Sequence, residues 1–216
     1  MSISRYIDYV QDPNDTFQQY IEKAKKMDVR CIFAELDEYQ EAKSLINDTD
    51  IIIVGSVDFP YGKMSLDEKM EEFNKYADYG FPEMEYVINQ KDIESCNLDA
   101  IFMEMDTISK FCRSHNMQLK AIVEMCKLQK DEDKVNVCKA ALNAKPTFLK
   151  TSTGKSFSGA KLKDVKLMKS VLDDEVKIKA AGGIRTFEFA KSLIDAGASV
   201  IGASNAAKII QEERNV

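Results

Sequence analysis

Eight short runs of aliphatic and β-branched residues recur along the 216-residue chain, with amphipathic stretches between them. The runs are Arg5–Asp8, Val29–Phe33, Ile51–Val57, Met84–Ile88, Leu119–Glu124, Thr147–Thr151, Val176–Ala180 and Val200–Gly202. Helical spacing marks the segments between them. Phe17, Tyr20, Ile21 and Ala24 form one apolar stripe; Leu98, Ile101, Phe102, Met105, Ile108, Phe111 and Cys112 form another. Ser65 followed by Glu68 makes a capping box at the head of a helix running towards Tyr79, and Thr186 is an N-cap before Phe187, Ala190, Leu193 and Ile194. Strict strand–helix alternation predicts a parallel sheet with helices on its outside. A mean unit of about 27 residues favours closure into a (β/α)8 TIM barrel, an α/β fold, over an open doubly wound sheet. The open sheet would want a G-x-G-x-x-G turn after an early strand, and the chain has none. No linker or shift of composition divides the chain, so residues 1–216 are expected to form one barrel domain.

Charge and cysteine usage narrow the chemistry. Thirty Lys and Arg against 36 Asp and Glu leave a net charge of −6, so neither nucleic acid nor an anionic membrane surface is an expected partner. The first residues carry no apolar stretch, and the aliphatic run at Ile51–Val54 is far too short to span a bilayer. A cytoplasmic globule is the expectation. The five cysteines (Cys31, Cys96, Cys112, Cys126, Cys138) contain no C-x-x-C pair, which argues against a zinc or disulfide framework. His115 is the one histidine, in a polar stretch expected to be a helix end; it cannot supply a multi-histidine metal site, and no G-x-S-x-G elbow accompanies it. No metal and no cofactor are expected. Lysines, carboxylates and backbone amides remain as the candidate chemists.

The segment Ser152-Thr153-Gly154-Lys155-Ser156 has the tail of a P-loop, but position 149 is leucine where the full motif needs glycine. Strand phase gives the segment another meaning. In Phe148-Leu149-Lys150-Thr151, Leu149 faces the helices while Lys150 points into the barrel near its C-terminal mouth. In Val176-Lys177-Ile178-Lys179-Ala180 both lysines face inward, with Lys179 nearer the mouth. A buried amine beside a second cation loses its proton near neutral pH, the requirement for Schiff-base chemistry. Gly182-Gly183 follows Lys179, and Gly202-Ala203-Ser204 ends the last strand, where barrels of this kind cradle phosphate. Surface lysines and glycine turn punctuation are the plainer alternatives.

FLKTSTGKSFSGAKLKDVKLMKSV followed by IKAAGGIRTFEFAKSLIDAGASVIGAS closely resembles the C-terminal half of deoxyribose-phosphate aldolases. Upstream, VDFPYG, EMEYVIN and LKAIVEMCKL resemble the family's corresponding segments more thinly. The resemblance implies a metal-free class I aldolase that cleaves 2-deoxyribose 5-phosphate to acetaldehyde and glyceraldehyde 3-phosphate. By that resemblance Lys150 is the Schiff-base lysine, Lys179 the second lysine that keeps it deprotonated, and Asp8 the first-strand aspartate of a proton relay. Cys31 matches a cysteine near the pocket that the chemistry does not need. Gly182, Gly183, Gly202 and Ser204 would hold the phosphate, with Thr153, Lys155 and Ala203 as further substrate contacts. The implied partner is a small sugar phosphate, and the possible assembly is a homodimer. Two departures stand out: the family's strand-four aspartate is Glu85, and the first-strand D-H-T signature is reduced to Asp8-Tyr9-Val10. They leave open a different short or phosphorylated hydroxyaldehyde as substrate, or a barrel that only binds sugar phosphate.

Overall fold

The computed structural model describes residues 2–215. Its eight parallel strands are β1 (Ile7–Tyr9), β2 (Cys31–Phe33), β3 (Ile52–Val57), β4 (Glu83–Val87), β5 (Gln118–Ile122), β6 (Phe148–Lys150), β7 (Lys177–Ala181) and β8 (Val200–Ala203). They pair in sequence order, and β8 returns to β1 with Ile7 opposite Ile201 and Asp8 opposite Gly202. The sheet is a closed (β/α)8 TIM barrel.

Around it run α1 (Phe17–Met27), α2 (Tyr39–Leu45), α3 (Leu66–Tyr79), α4 (Gln90–Ser95), α5 (Leu98–Ser114), α6 (Asp131–Ala144), α7 (Leu162–Leu172), α8 (Phe187–Asp195) and α9 (Ala206–Glu213). Two of them start at the residues expected to start them. Ser65 and Glu68 form a reciprocal capping box at α3, and the Thr186 hydroxyl accepts from Phe189 N at α8. Among the described helices none is long and apolar enough to cross a membrane.

Two sequence expectations need correction. The first strand begins later than Arg5: Ser2 caps a single 3-10 turn, Ile3–Tyr6, and Arg5 pairs with Asp28 at 3.0 Å outside the barrel. Pairing with β8 starts at Ile7 because the turn uses the preceding backbone locally, Arg5 N donating to the Ser2 carbonyl and Ile7 N to that of Ser4. In α5, Ile101, Met105, Ile108 and Cys112 are buried as the stripe requires, but Phe102 lies on its margin and is 37% exposed.

Strand alternation divides the side chains cleanly. Met84 and Tyr86, Leu119 and Ala121, Leu149, and Ile178 and Ala180 pack outward into one apolar cluster beneath the helices. The inward set includes Asp8, Glu83, Glu85, Lys120, Lys150 and Lys179, all buried. TIM barrels usually fill this space with branched aliphatic residues. Here six charged side chains share the interior with Val54, Val87, Ile122, Phe148 and Val200, and the apolar driving force for folding comes mainly from the outer layer.

A second buried ionic group lies in that outer layer. The fully buried Lys69 of α3 donates at 2.8 Å to both Glu104 Oε1 on α5 and the Val87 carbonyl at the end of β4. It also lies 3.5 Å from Asp58, whose carboxylate accepts from the amides of Lys63 and Met64 and so ties down the β3–α3 loop. Removing one partner of a buried pair strands the other. Lys69→Met should therefore lower unfolding free energy by about 3–5 kcal/mol in urea titrations. A loss below about 1 kcal/mol would mean that water replaces the ammonium freely.

Candidate active site

The C-terminal ends of the strands open into a cavity of about 840 Å³. Glu85, Lys150 and Lys179 form its floor, while Thr153, Gly183 and Ser204 lie on one wall. Lys155, Gly182, Gly202 and Ala203 line it too, so every candidate residue except Asp8 meets this one space. Asp8 lies beneath the floor, fully buried, with its carboxylate 2.7 Å from Lys179 Nζ. The resemblance implies a place in a proton relay for it; the structure sets it against Lys179 with no exposure to the cavity.

Glu85 spans the two lysines. Its Oε1 accepts from Lys150 Nζ at 2.8 Å and its Oε2 from Lys179 Nζ at 3.0 Å. The inward phase predicted from sequence for Glu85, Lys150 and Lys179 is the one observed. Burial pushes the Lys150 amine down to about 8, against the pull of Glu85 and with help from Lys179. Burial alone would raise Glu85, but Lys150, Lys179 and Lys120 overcome it and hold the carboxyl down to about 2. An ionised base thus touches an amine that gives up its proton near neutral pH.

Below this pair the charges continue. Lys120 on β5 contacts Asp8 at 2.7 Å and also Glu83. Arg30, just before β2, reaches Asp8 and Glu83 at 2.5 Å each. Burial works against ionisation of Asp8, yet Lys120, Lys179 and Arg30 hold its carboxyl well below the usual range. Asp8, Cys31 and Glu83 bring their ligand atoms within 4.8 Å of one another, a spacing open to a divalent ion. The donors do not suit one: Arg30 and Lys120 already occupy both carboxylates, and burial pushes the Cys31 thiol well up.

Lys120, Arg30, Glu83, Glu124 and Arg185 were not among the sequence candidates. Alternation on β4 and β5 carries Glu83 and Lys120 on the inward face, so that signal was present. Glu124, buried with φ 63°, accepts from the Thr153 amide and braces the loop after Lys150. Arg185 lines the cavity two residues beyond the glycine pair. His115 behaves as expected: it caps the C-terminus of α5, with Nδ1 2.9 Å from the Phe111 carbonyl. Ser152–Ser156 begins no helix, since α7 starts at Leu162, so the P-loop reading fails on geometry as well as sequence.

The chain is 37% identical to the deoxyribose-phosphate aldolase of Lactobacillus acidophilus over 190 residues, covering 88% of this chain and 80% of the relative. It is 35% identical to deoxyribose-phosphate aldolase 1 of Mesoplasma florum over 219 residues, covering 100% and 98%. The chain belongs to the deoxyribose-phosphate aldolase family. It is an aldehyde-lyase, an enzyme of the carbon–carbon lyase class. The solved aldolase QR15 superposes with a TM-score of 0.87 at 27% identity, covering 99% of this chain and 96% of its own. No family model matches the chain.

The two glycines at the mouth differ in what their missing side chains allow. A Cβ on Gly202 would stand 3.0 Å from Ala181 Cβ and 3.3 Å from Lys179 Cε, so the space it leaves belongs to Lys179. At Gly183, with φ 74°, a Cβ would meet nothing within 4 Å and would point into open space. Gly202→Val should therefore slow reaction with phosphorylated and unphosphorylated aldehydes alike. Gly183→Asn, whose side chain tolerates this left-handed backbone far better than valine, should raise KM for the phosphorylated substrate and leave an unphosphorylated aldehyde little affected. Steady-state kinetics on both substrate types checks this; a purely phosphate-dependent defect in Gly202→Val would refute the packing role.

Proposed function

We propose that the enzyme cleaves 2-deoxyribose 5-phosphate to acetaldehyde and glyceraldehyde 3-phosphate through a Schiff base on Lys150. The observation that carries this reading is the Lys150 amine itself: buried, facing the cavity, 2.8 Å from Glu85 and pushed down to about 8. The neutral amine adds to the aldehyde carbon of the open-chain sugar, and the carbinolamine takes up a proton from solvent as it loses water, leaving a protonated imine; the final hydrolysis returns that proton. Glu85 then takes the proton of the hydroxyl on the third carbon. The bond between the second and third carbons breaks; glyceraldehyde 3-phosphate leaves, and the electron pair remains as an enamine. Return of the proton to the second carbon and addition of water release acetaldehyde and the free amine. Lys179, fixed between Asp8 and Glu85, is the second basic side chain beside Lys150. The amides around Gly182, Gly183 and Ser204, with Lys155, suit the phosphate end.

Incubation with acetaldehyde and borohydride should leave a reduced adduct on Lys150, located by peptide mass spectrometry. Lys150→Ala should lose both adduct and turnover. Lys150→Arg should do the same, since guanidinium stays protonated and does not add to carbonyls. A depressed lysine becomes reactive as pH rises, so the trapping rate should climb from pH 6 and level off above about 8. An adduct on another lysine, or trapping indifferent to pH, would overturn this assignment.

A different hydroxyaldehyde is the second reading, and two observations favour it. Val10 presents an apolar, 41% exposed side chain to the cavity where the family signature has threonine, and Glu85 carries one methylene more than the family aspartate. Glu85→Gln should still form the Schiff base but exchange the enamine proton about 10²-fold more slowly. Glu85→Asp separates the substrates: activity on deoxyribose 5-phosphate is kept or gained if that is the substrate. Collapse in the Asp variant would favour the other aldehyde.

A further inference from the structure

Ion pairs join Lys150 to the opposite end of the barrel without a break. Lys150 meets Glu85 at 2.8 Å, Glu85 meets Lys179 at 3.0 Å, Lys179 meets Asp8 at 2.7 Å, and Asp8 meets Arg30 at 2.5 Å. Arg30 also holds Glu83 at 2.5 Å, and Lys120 bridges Asp8 and Glu83. Its guanidinium is planar and permanently charged, stacks 5.4 Å from the Phe148 ring centroid, and is the partly exposed member of the group, at 13%.

The charges count out simply. Arg30, Lys120 and Lys179 face Asp8, Glu83 and Glu85, three cations against three carboxylates. Lys150 is the fourth basic side chain. With Lys150 neutral the cluster is balanced; with Lys150 protonated it holds one buried cation too many, which a low-dielectric interior disfavours. Arg30 cannot release a proton. Lys120 is held by Asp8 and Glu83, and Lys179 by Asp8 and Glu85, whereas among the described residues Lys150 pairs only with Glu85 and borders the cavity. The proton therefore leaves from Lys150.

We propose that Arg30 and Glu83, at the floor of the barrel and away from the cavity, are positioning residues that set the pH range in which Lys150 is an uncharged amine. The inference rests on the Schiff-base reading of Lys150. The other charged or titratable groups near the cluster and on the cavity wall, Glu35, Glu38, Asp58, Lys155 and Arg185 among them, are the same in every variant compared below. Cys31 from β2 is a buried neutral thiol; Glu124 from the end of β5 is taken up by the Thr153 amide and lies 3.9 Å from Cys126 Sγ; Lys177 at the start of β7 is exposed beneath Phe148.

The test uses the full-length enzyme, acetaldehyde as probe and cyanoborohydride as reductant, with the trapping rate at Lys150 measured across pH. Arg30→Met removes one cation, so protonating Lys150 restores balance and the profile should move about half to one pH unit to the alkaline side. Glu83→Gln keeps shape but removes one carboxylate, and its profile should move to the acid side. The double variant is balanced again and should return to the wild-type profile. If Arg30→Met does not fold, the acid shift in Glu83→Gln and its cancellation in the double variant still decide the matter. A Glu83→Gln profile that stays put or moves to the alkaline side overturns the proposal, as does a double variant that keeps either shift. Wild-type enzyme that traps aldehyde anywhere but Lys150 would instead sink the Schiff-base reading beneath it.

Discussion

One carboxylate spanning two lysines governs the organisation of this barrel. Ammonium groups in a low-dielectric interior are tolerated only when paired. Glu85 pairs with Lys150 and Lys179 together, from a strand that neighbours neither of theirs: β4 binds β3 and β5, while β6 and β7 bind each other. Closure of the barrel is therefore a condition of the site, because only a closed sheet points these strands at one axis. The same pairing needs further charges below it, since Lys179 shared with Glu85 draws in Asp8, and Asp8 draws in Lys120 and Arg30. An interior so rich in charge gives less hydrophobic gain than an aliphatic one. The outer face of every strand and the inner faces of the helices supply it instead, through one apolar cluster that runs from Ile3 to Ile210.

The mouth is shaped by backbone meeting backbone. A Cβ on Gly182 would come within 2.9 Å of the Cα atoms of both Gly154 and Gly159, so the β6–α7 and β7–α8 loops cross with no side chain between them. Ala160 N, bonded to the carbonyls of Ala181 and Gly182, fastens the crossing. On the opposite side Asp58 anchors the loop that carries Phe59, whose ring centroid lies 5.4 Å from Lys150 Nζ. The amine thus has a polar partner below and an aromatic face above. That enclosure explains why burial, ahead of any neighbouring charge, leads the causes that depress it.

Strand periodicity made most of this legible before any coordinates. A period of two fixes which side chains enter a closed barrel, so Lys150, Lys179 and Glu85 could be read as one group from three separated segments. Lys120 obeys the same rule and was open to the same reading. Arg30 was not. Its phase puts it with Ile32, facing the helices, but it precedes the first paired residue of β2, where a long side chain is free to turn under the sheet. Asp8 was legible as inward but not in depth, because depth depends on barrel stagger, which a strand's own sequence does not encode. Gly202 lines the cavity as its place in the sequence suggests, but its packing against Ala181 and Lys179 is not legible there, because a glycine needed for close packing and one needed for a ligand look alike.

The extra methylene of Glu85 fits the same electrostatic frame. A shorter carboxylate at this position would sit farther from one or both ammonium groups, and water would fill the gap, as ordered water does between polar groups too far apart to touch. With glutamate, both oxygens are engaged directly in the resting site. On the Schiff-base reading, the amine gives up its proton before it reacts, and the Oε1 contact then loosens at the moment a substrate hydroxyl arrives. One oxygen stays anchored by Lys179 while the other is released towards the cavity. The anchored oxygen preserves the orientation of the base, and the released one supplies the acceptor. Dependence on Lys179 for that anchoring follows directly, and so does the need for Asp8 beneath it. A lysine that swung freely would take the base with it.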